Sequence, residues 1–245
     1  MTMGALEELR SGLREFAEPH TRVQQVRVLS PAADDELLGV RVPLMRQLAC
    51  QYRELSCRDV DVLLCSRVHE ERFTGLLILV EQMRTARGGE RKALVDFYLA
   101  RTDRVDNWDL VDVSAHVVLG PWLLDGPSDA LDMLDALAGS SWLWDRRIAV
   151  VATLALIRAG RFEPTLRLVL QLRRDPEPLI HKALGWMLRE IGRRDAQLIV
   201  DFLDRHAVEL PRVTVLYATE RLAPSERSRF VKTRRPARPR PGSTE

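Results

Sequence analysis

The chain has 245 residues, of which 46% are hydrophobic and 29% are charged, a balance typical of a globular protein with a substantial core. Its formal net charge of +2 argues against a strongly basic nucleic-acid-binding protein, and no apolar run is long enough to cross a bilayer. The 3 cysteines and 5 histidines lack the spacing of a disulfide framework or a metal site. With no signal-peptide pattern at the N-terminus, we expect a cytoplasmic protein without bound metal.

Apolar residues at helical spacing predict helices along almost the whole chain, joined by short connections rich in glycine and proline. The predicted helices are 3–17, 43–54, 70–87, 90–100, 107–119, 128–138, 143–159, 163–173, 177–191, 195–206, 212–221 and 225–231. No segment shows the alternation of a strand. Helix pairs of roughly 35 to 45 residues indicate an all-α, curved helical solenoid, which we expect to form one domain over 1–231. The segment 232–245 is rich in arginine and proline and is expected to be a disordered basic tail.

A tryptophan and a carboxylate four residues apart stand out in one of these helices. Trp108 and Asp112 share a helix face, and we expect Leu110, Val113 and Val117 to form the apolar face on the opposite side. An outward indole beside an acid can also be an ordinary surface feature, because the helix dipole favours acids near the N-terminus. The pair gains weight as a site from a second tryptophan later in the chain.

That second tryptophan, Trp186, lies among cations on its predicted helix. The apolar stripe of this helix consists of Ile180, Leu184, Met187, Leu188 and Ile191. The opposite side carries Lys182, Trp186, Arg189 and Arg193. Burying Trp186 would carry unpaired cations inward, so we expect the indole to lie on a surface that suits a sugar-phosphate partner. Cation–π stacking on a face without function is the alternative.

Three segments resemble, in order and spacing, the DNA alkylation repair glycosylases of the AlkD type. They are NWDLVD at 107–112, RRIA at 146–149 and LIHKALGWMLRE at 179–190. Two N-terminal segments, GVRVP at 39–43 and HEERF at 69–73, fit the same family. The resemblance implies a HEAT-like helical repeat protein that acts on damaged double-stranded DNA and hydrolyses the N-glycosidic bond of alkylated purines. We expect it to work as a monomer and without a cofactor.

The residues agree with that chemistry. Alkylation at N3 of adenine or N7 of guanine places positive charge on the base, which then leaves readily, so the deoxyribose is what needs stabilising. Asp112 is the candidate for stabilising oxocarbenium character at C1′ and for orienting the attacking water. Trp108 and Trp186 are the other candidate catalytic residues, because their π faces would flank the lesion nucleotide.

Five cationic residues are candidates for binding DNA, since guanidinium and ammonium groups pair with phosphate oxygens. They are Arg146, Arg147, Lys182, Arg189 and Arg193. Arg146 has a second interpretation as part of a salt-bridged helix start beside Asp145. The resemblance gives Lys182 no role as an amine nucleophile, so we expect hydrolysis without lyase activity.

Two alternatives stay open at this point. A non-catalytic helical scaffold that binds DNA or a protein would use the same kind of concave surface. A glycosylase specialised for bulky natural-product adducts would share these motifs, because an open groove tolerates large substituents. A phosphate-ester hydrolase has no support, since neither a glycine-rich phosphate loop nor a cluster of metal ligands is visible.

Overall fold

The computed structural model describes residues 2–127 and 129–232. Within these ranges the protein contains sixteen α-helices, one short 3-10 helix and a single isolated β-bridge between Glu36 and Val68. The predicted all-α fold class is confirmed. None of the helices in the described ranges is both long enough and apolar enough to span a bilayer. The predicted basic tail lies outside the described residues, apart from Lys232 at the end of the last helix.

The described chain divides into two compact units, of which the first ends at Ala159 and the second begins at Gly160. The first unit contains α1 (Thr2–Glu15), α2 (Pro19–Leu29), α3 (Val42–Gln51), α4 (Cys57–Leu64), α5 (His69–Thr85), α6 (Gly88–Leu99), the 3-10 helix (Thr102–Arg104), α7 (Trp108–Val118), α8 (Gly120–Asp125), α9 (Asp132–Ala138), α10 (Leu143–Ala152) and α11 (Leu154–Arg158). The second contains α12 (Glu163–Leu172), α13 (Pro178–Gly192), α14 (Ala196–His206), α15 (Arg212–Ala218) and α16 (Pro224–Lys232). The single domain predicted for 1–231 stays a prediction.

Helix α5 is the centre of the first unit. It packs against α3, α4 and α7, and α7 packs in turn against α10. Because α5 is surrounded, even the charged residues of its first turn are buried, and each of them has a partner. Glu71 accepts a hydrogen bond from Arg10 at 3.0 Å, and Arg72 donates to Asp35 at 2.9 Å. A buried charge has to be paired in this way.

The third buried charge of α5, Glu70, fixes the connection between α2 and α3. Its carboxylate accepts hydrogen bonds from the backbone N–H groups of Leu38, Gly39 and Val40, at 3.0, 2.8 and 3.3 Å. Gly39 has φ of +88°, and a Cβ atom at this position would collide with the carbonyl oxygen of Glu18. Only glycine fits there, so the beginning of α2 is held close to this connection.

Three helices were missed by the sequence analysis: α2, α4 and α8. Helix α2 buries only Leu29, and its apolar residues Val23, Val26 and Val28 are exposed. It therefore lacks the apolar stripe on which the predictions rest. Helices α4 and α8 have eight and six residues, which is too short to show a clear period.

The prediction of one continuous helix over 143–159 was wrong, because the structure has two helices there. Its residues form α10 and α11, which are separated at Thr153. The hydroxyl of Thr153 donates to the carbonyl oxygen of Val150 at 2.7 Å and is completely buried. Local bonding of this kind competes with the regular helical ladder and bends or interrupts it.

In the second unit α13 is the central helix and packs against α12, α14 and α15. The predicted apolar stripe of α13, which includes Ile180, Leu184 and Ile191, is buried as expected. Gly185 allows α15 to approach closely, because a Cβ atom there would collide with the carbonyl oxygen of Thr214. The other side of α13 is left partly exposed.

Candidate active site

Helix α7 places Trp108 and Asp112 on its partly exposed side. The helix begins directly after Asn107, whose side-chain amide donates to the carbonyl oxygen of Leu29 at 3.2 Å. This buried contact ties the first turn of α7 to the end of α2. Trp108 is thereby set against the wall that α2 provides.

The apolar face of α7 differs from the predicted one. Leu110 is buried as expected, but Val113 and Val117 are partly exposed. The buried face is instead completed by Val111, Ser114, Ala115 and Val118. A serine fits there because its hydroxyl donates to the carbonyl oxygen of Leu110 at 2.6 Å and bonds the Tyr98 hydroxyl at 3.0 Å. Periodicity alone underestimated the burial of these small residues.

A cavity of about 460 Å³ lies in front of Trp108 and Asp112. Its walls come from four helices of the first unit, with Gln24, Gln25 and Val28 from α2, Val42, Met45 and Arg46 from α3, His69 and Phe73 from α5, and Trp108, Asp109, Asp112 and Val113 from α7. The cavity opens to solvent, since Val28 and Val42 on its wall are exposed. Mostly apolar walls with a few convergent polar groups are typical of a ligand site.

Asp112 is held in this cavity by Arg147 from α10. The guanidinium donates from Nη2 to both carboxylate oxygens at 2.9 Å and from Nε to Oδ1 at 3.1 Å. Burial raises the pKa of Asp112 to about 6, against the opposing effect of the Arg147 charge. At neutral pH the group is therefore mostly ionised and fixed in orientation.

The two neighbouring arginines predicted to bind DNA both bond to groups of the protein. The side chain of Arg147 is only 6% exposed and engages Asp112. Arg146 donates to the carbonyl oxygens of Ser140 and Ser141 at 3.0 and 2.9 Å. This is closer to its second interpretation as part of a helix start. Arg146 and Arg147 are adjacent on α10, so their side chains point in different directions. The sequence alone did not show which groups each of them would meet.

The remaining predicted site residues share the partly exposed side of α13 in the second unit. Trp186 is partly exposed, and Lys182 is exposed and makes no ion pair within the described part of the chain. Arg189 donates to Glu220 at 2.6 Å, and Arg193 lies 3.4 Å from Glu190. The predicted phase of this helix is confirmed, with its indole and cations on one side and its apolar stripe buried.

The cavity residues that were not predicted as site residues include Arg46, His69 and Asp109. Arg46 is exposed and forms no ion pair with any described residue. His69 is buried, and its Nε2 lies 2.8 Å from Oδ2 of Asp109. The segment 69–73 had carried a resemblance, but only the packing of α5 against α7 shows that His69 reaches the cavity.

Comparisons with known proteins give a family match and a shared fold. The family model described as DNA alkylation repair enzyme matches residues 9–222. Among solved structures, a predicted DNA alkylation repair enzyme from Enterococcus faecalis is similar, with a TM-score of 0.69, 17% identity and coverage of 85% of this chain and 97% of the other. The crystal structure of smu.31 from Streptococcus mutans UA159 gives a TM-score of 0.52, 16% identity and coverage of 89% and 100%. At these identities the structures show a shared fold. A search of curated proteins found no match.

Proposed function

This chain belongs to the DNA alkylation repair enzyme family, and on that premise we propose that it is a monofunctional DNA glycosylase. Its substrates would be purines alkylated at N3 or N7 in duplex DNA, and the bond it hydrolyses would be the N-glycosidic bond. The observation that carries the proposal is the carboxylate of Asp112, fixed by Arg147 in an open cavity that Trp108 also lines.

The alkylated base is a good leaving group, so the protein does not need a strong general acid to protonate it. When the bond between C1′ and the alkylated base breaks, its electron pair neutralises the positive charge of the base. Water then adds to C1′ and loses one proton. The difficult species is the oxocarbenium-like sugar, which a fixed carboxylate stabilises without reorganisation. Asp112 supplies that charge, and the Arg147 fork keeps its two oxygens in place.

The aromatic and cationic residues would hold the DNA. The partly exposed indole of Trp108 offers a π face to a cationic nucleotide at the cavity. On α13, Trp186 would contact the DNA backbone, with Lys182, Arg189 and Arg193 as phosphate partners. Arg46 replaces Arg147 in the first unit as the candidate that binds phosphate, because it is exposed at the same cavity.

Incubation with duplex DNA that contains 7-methylguanine tests the proposal. We expect free base and abasic sites to appear together, without strand cleavage. The isosteric variant Asp112→Asn should bind this DNA nearly as well and excise about 100-fold or more slowly. The matched control is Asp103→Asn, which makes the same change at an exposed position outside the cavity. Excision by Asp112→Asn at the parental rate would disprove the role of Asp112. Binding without excision by the parental protein would favour the scaffold alternative.

A second candidate function is the removal of bulky natural-product adducts. The observation in its favour is the open, largely apolar wall that Val28, Val42 and Phe73 give the cavity. Such a wall suits a large apolar substituent on the base. The same assay with a duplex that carries a bulky N3-alkylated adenine compares the two substrates. Faster excision of the bulky lesion than of 7-methylguanine would favour this second function.

A further inference from the structure

The carboxylate of Asp109 shares the cavity with Asp112 but differs from it in its partners. Asp109 lies three residues earlier on α7, so the two carboxylates face the same cavity from successive turns. Their side chains are 15% and 21% exposed. Both are thus close to any nucleotide that enters, and both are partly shielded from water.

The charge of Asp112 is balanced within the protein. Arg147 approaches it with two nitrogens and engages both of its oxygens. An ion pair with this fork geometry brings one positive and one negative charge into contact. Arg147 thus orients the negative charge of Asp112 and partly offsets it.

The charge of Asp109 has no such cation. Its Oδ1 accepts from the backbone N–H of Leu110 at 2.8 Å, and its Oδ2 bonds Nε2 of His69 at 2.8 Å. The other ring nitrogen of His69, Nδ1, faces Nη2 of Arg72 at 3.5 Å. Because a guanidinium can only donate, this contact makes Nδ1 the acceptor and Nε2 the ring nitrogen that donates to Asp109. Asp109 is therefore held by one backbone N–H and one ring N–H.

Arg72, the arginine beside His69, pairs with other carboxylates. Nη2 of Arg72 lies 2.9 Å from Asp35 and 3.5 Å from Asp106. Its charge is shared between these two carboxylates, behind the buried ring of His69. Arg46 also lines the cavity, but it forms no ion pair with either carboxylate. Among the described residues, Asp109 is left as the cavity carboxylate without a bonded arginine or lysine.

We propose that Asp109, positioned by His69, is a second anionic residue of this site and makes it selective for positively charged substrates. The inference rests on the proposed function, because it concerns the substrate of the same cavity. A cationic alkylated nucleoside, or the oxocarbenium-like sugar that forms from it, would place a positive charge beside the carboxylate of Asp109. A neutral nucleotide of the same shape would leave that carboxylate partly desolvated and unpaired.

Two duplexes that differ only in charge at one site provide the test. One carries a pyrrolidine azasugar, which is protonated at neutral pH, and the other a neutral tetrahydrofuran abasic site. The affinity of the full chain for each is measured by fluorescence anisotropy at fixed salt. The parental protein should prefer the cationic duplex. Asp109→Asn should lower this preference about tenfold while changing affinity for the neutral duplex less than twofold.

Variants of His69 separate positioning from simple loss of structure. His69→Gln keeps a donor toward Asp109 and should retain most of the preference, whereas His69→Leu removes the donor and should lose it. Asp103→Asn, an exposed change of equal charge, should leave the ratio unchanged. Thermal melts confirm that each variant is folded before its ratio is measured.

The outcomes distinguish the inference from the function. If Asp109→Asn keeps the parental preference while the parental protein excises 7-methylguanine, the role of Asp109 is wrong and the proposed function stands. A folded parental protein that neither prefers the cationic duplex nor excises the base would overturn both. Equal loss of preference in Asp103→Asn would also overturn the inference, because the effect would then be one of general charge.

Discussion

Arg147 donates three hydrogen bonds to Asp112 from 35 positions further along the chain, and so joins α10 to α7 at the wall of the cavity. The guanidinium is buried, and the carboxylate is partly so. Such a pair gives little net stability compared with a well-packed apolar pair, but losing one partner leaves an unpaired charge in a poorly solvated place. The interaction is therefore better explained by the proposed role of Asp112 than by a gain in the stability of the fold.

Replacing Arg147 with an apolar side chain of similar size should destabilise the protein. We expect Arg147→Met to lower the free energy of unfolding at neutral pH by about 2 to 3 kcal/mol, because the charge of Asp112 is left without its partner. Urea denaturation measures this change. The double variant Arg147→Met/Asp112→Asn should recover part of the loss, since the unpaired charge is gone. Equal stability of the single variant and the parental protein would contradict the importance of this pair.

The pH dependence of excision follows from the pKa of Asp112. Because only the ionised carboxylate stabilises a positive sugar, the single-turnover rate should fall as the pH drops through about 6. The raised pKa has the opposite effect on stability: the excision rate falls at low pH, whereas the stability of the folded state rises. Its stabilising contribution is complete below the ordinary value of 3.8 and is lost as the pH rises through about 6. Protonation of Asp112 at low pH therefore stabilises the folded state and lowers the excision rate.

The residual rate of Asp112→Asn provides the control for that profile and should show no step near pH 6. In Arg147→Met the midpoint should move upward, since the charge that lowers the pKa of Asp112 is removed. In the parental protein, a profile that is flat between about pH 5 and pH 7, one unit on each side of the transition near 6, would contradict the assignment.

Trp186 can be tested against a buried neighbour on the same helix. Trp186→Ala should impair excision and lower stability by only about 1 kcal/mol, because the indole is partly exposed. Leu184→Ala removes a completely buried side chain and should cost about 2 to 5 kcal/mol without changing the rate of the folded fraction. Thermal melts and single-turnover assays compare the two variants. A Trp186→Ala protein that melts far earlier yet excises normally would place the indole in the core.

Binding to DNA should weaken steeply with added salt, and Lys182 should account for part of the slope. Lys182→Ala is expected to reduce the slope of log affinity against log salt concentration by about 0.9, since one phosphate contact is lost. Lys92→Ala is a matched control, because Lys92 is also exposed but pairs with Asp96 at 2.6 Å on α6. If the two variants have the same slope, the assignment of α13 to the DNA surface is wrong.

Sequence patterns were enough to predict most of the helices and the partial exposure of Trp108 and Trp186. They succeeded for α13 because a long stripe of large apolar residues fixes the phase of a helix. They failed for α2, whose valines are exposed, and for the valines of α7, where Ser114 and Ala115 occupy the buried face. The helical periodicity of a sequence shows where large apolar side chains are buried. The burial of small or polar side chains depends instead on the neighbouring helix.

The interactions within the site could not be predicted in this way. Asp112 and Arg147 are separated by 35 positions, and His69 and Asp109 by 40. Both contacts depend on how α7 packs against α10 and α5. Each of these residues lies in one of the segments that resemble the family. A sequence motif does not show, however, which charged side chains form pairs with each other.

The wall formed by α2 is nearly independent of the core, since Leu29 is the one residue of this helix that is buried. Substitutions at Gln24 or Val28 would alter the cavity at a cost to folding of about 0.5 kcal/mol or less, as is usual for surface positions. Changes on α7 or α10 would instead disturb packed side chains and the paired charges. The shape of the cavity can therefore change through α2 with little effect on folding, whereas Asp112 and Arg147 are tied to the packing that keeps the protein folded.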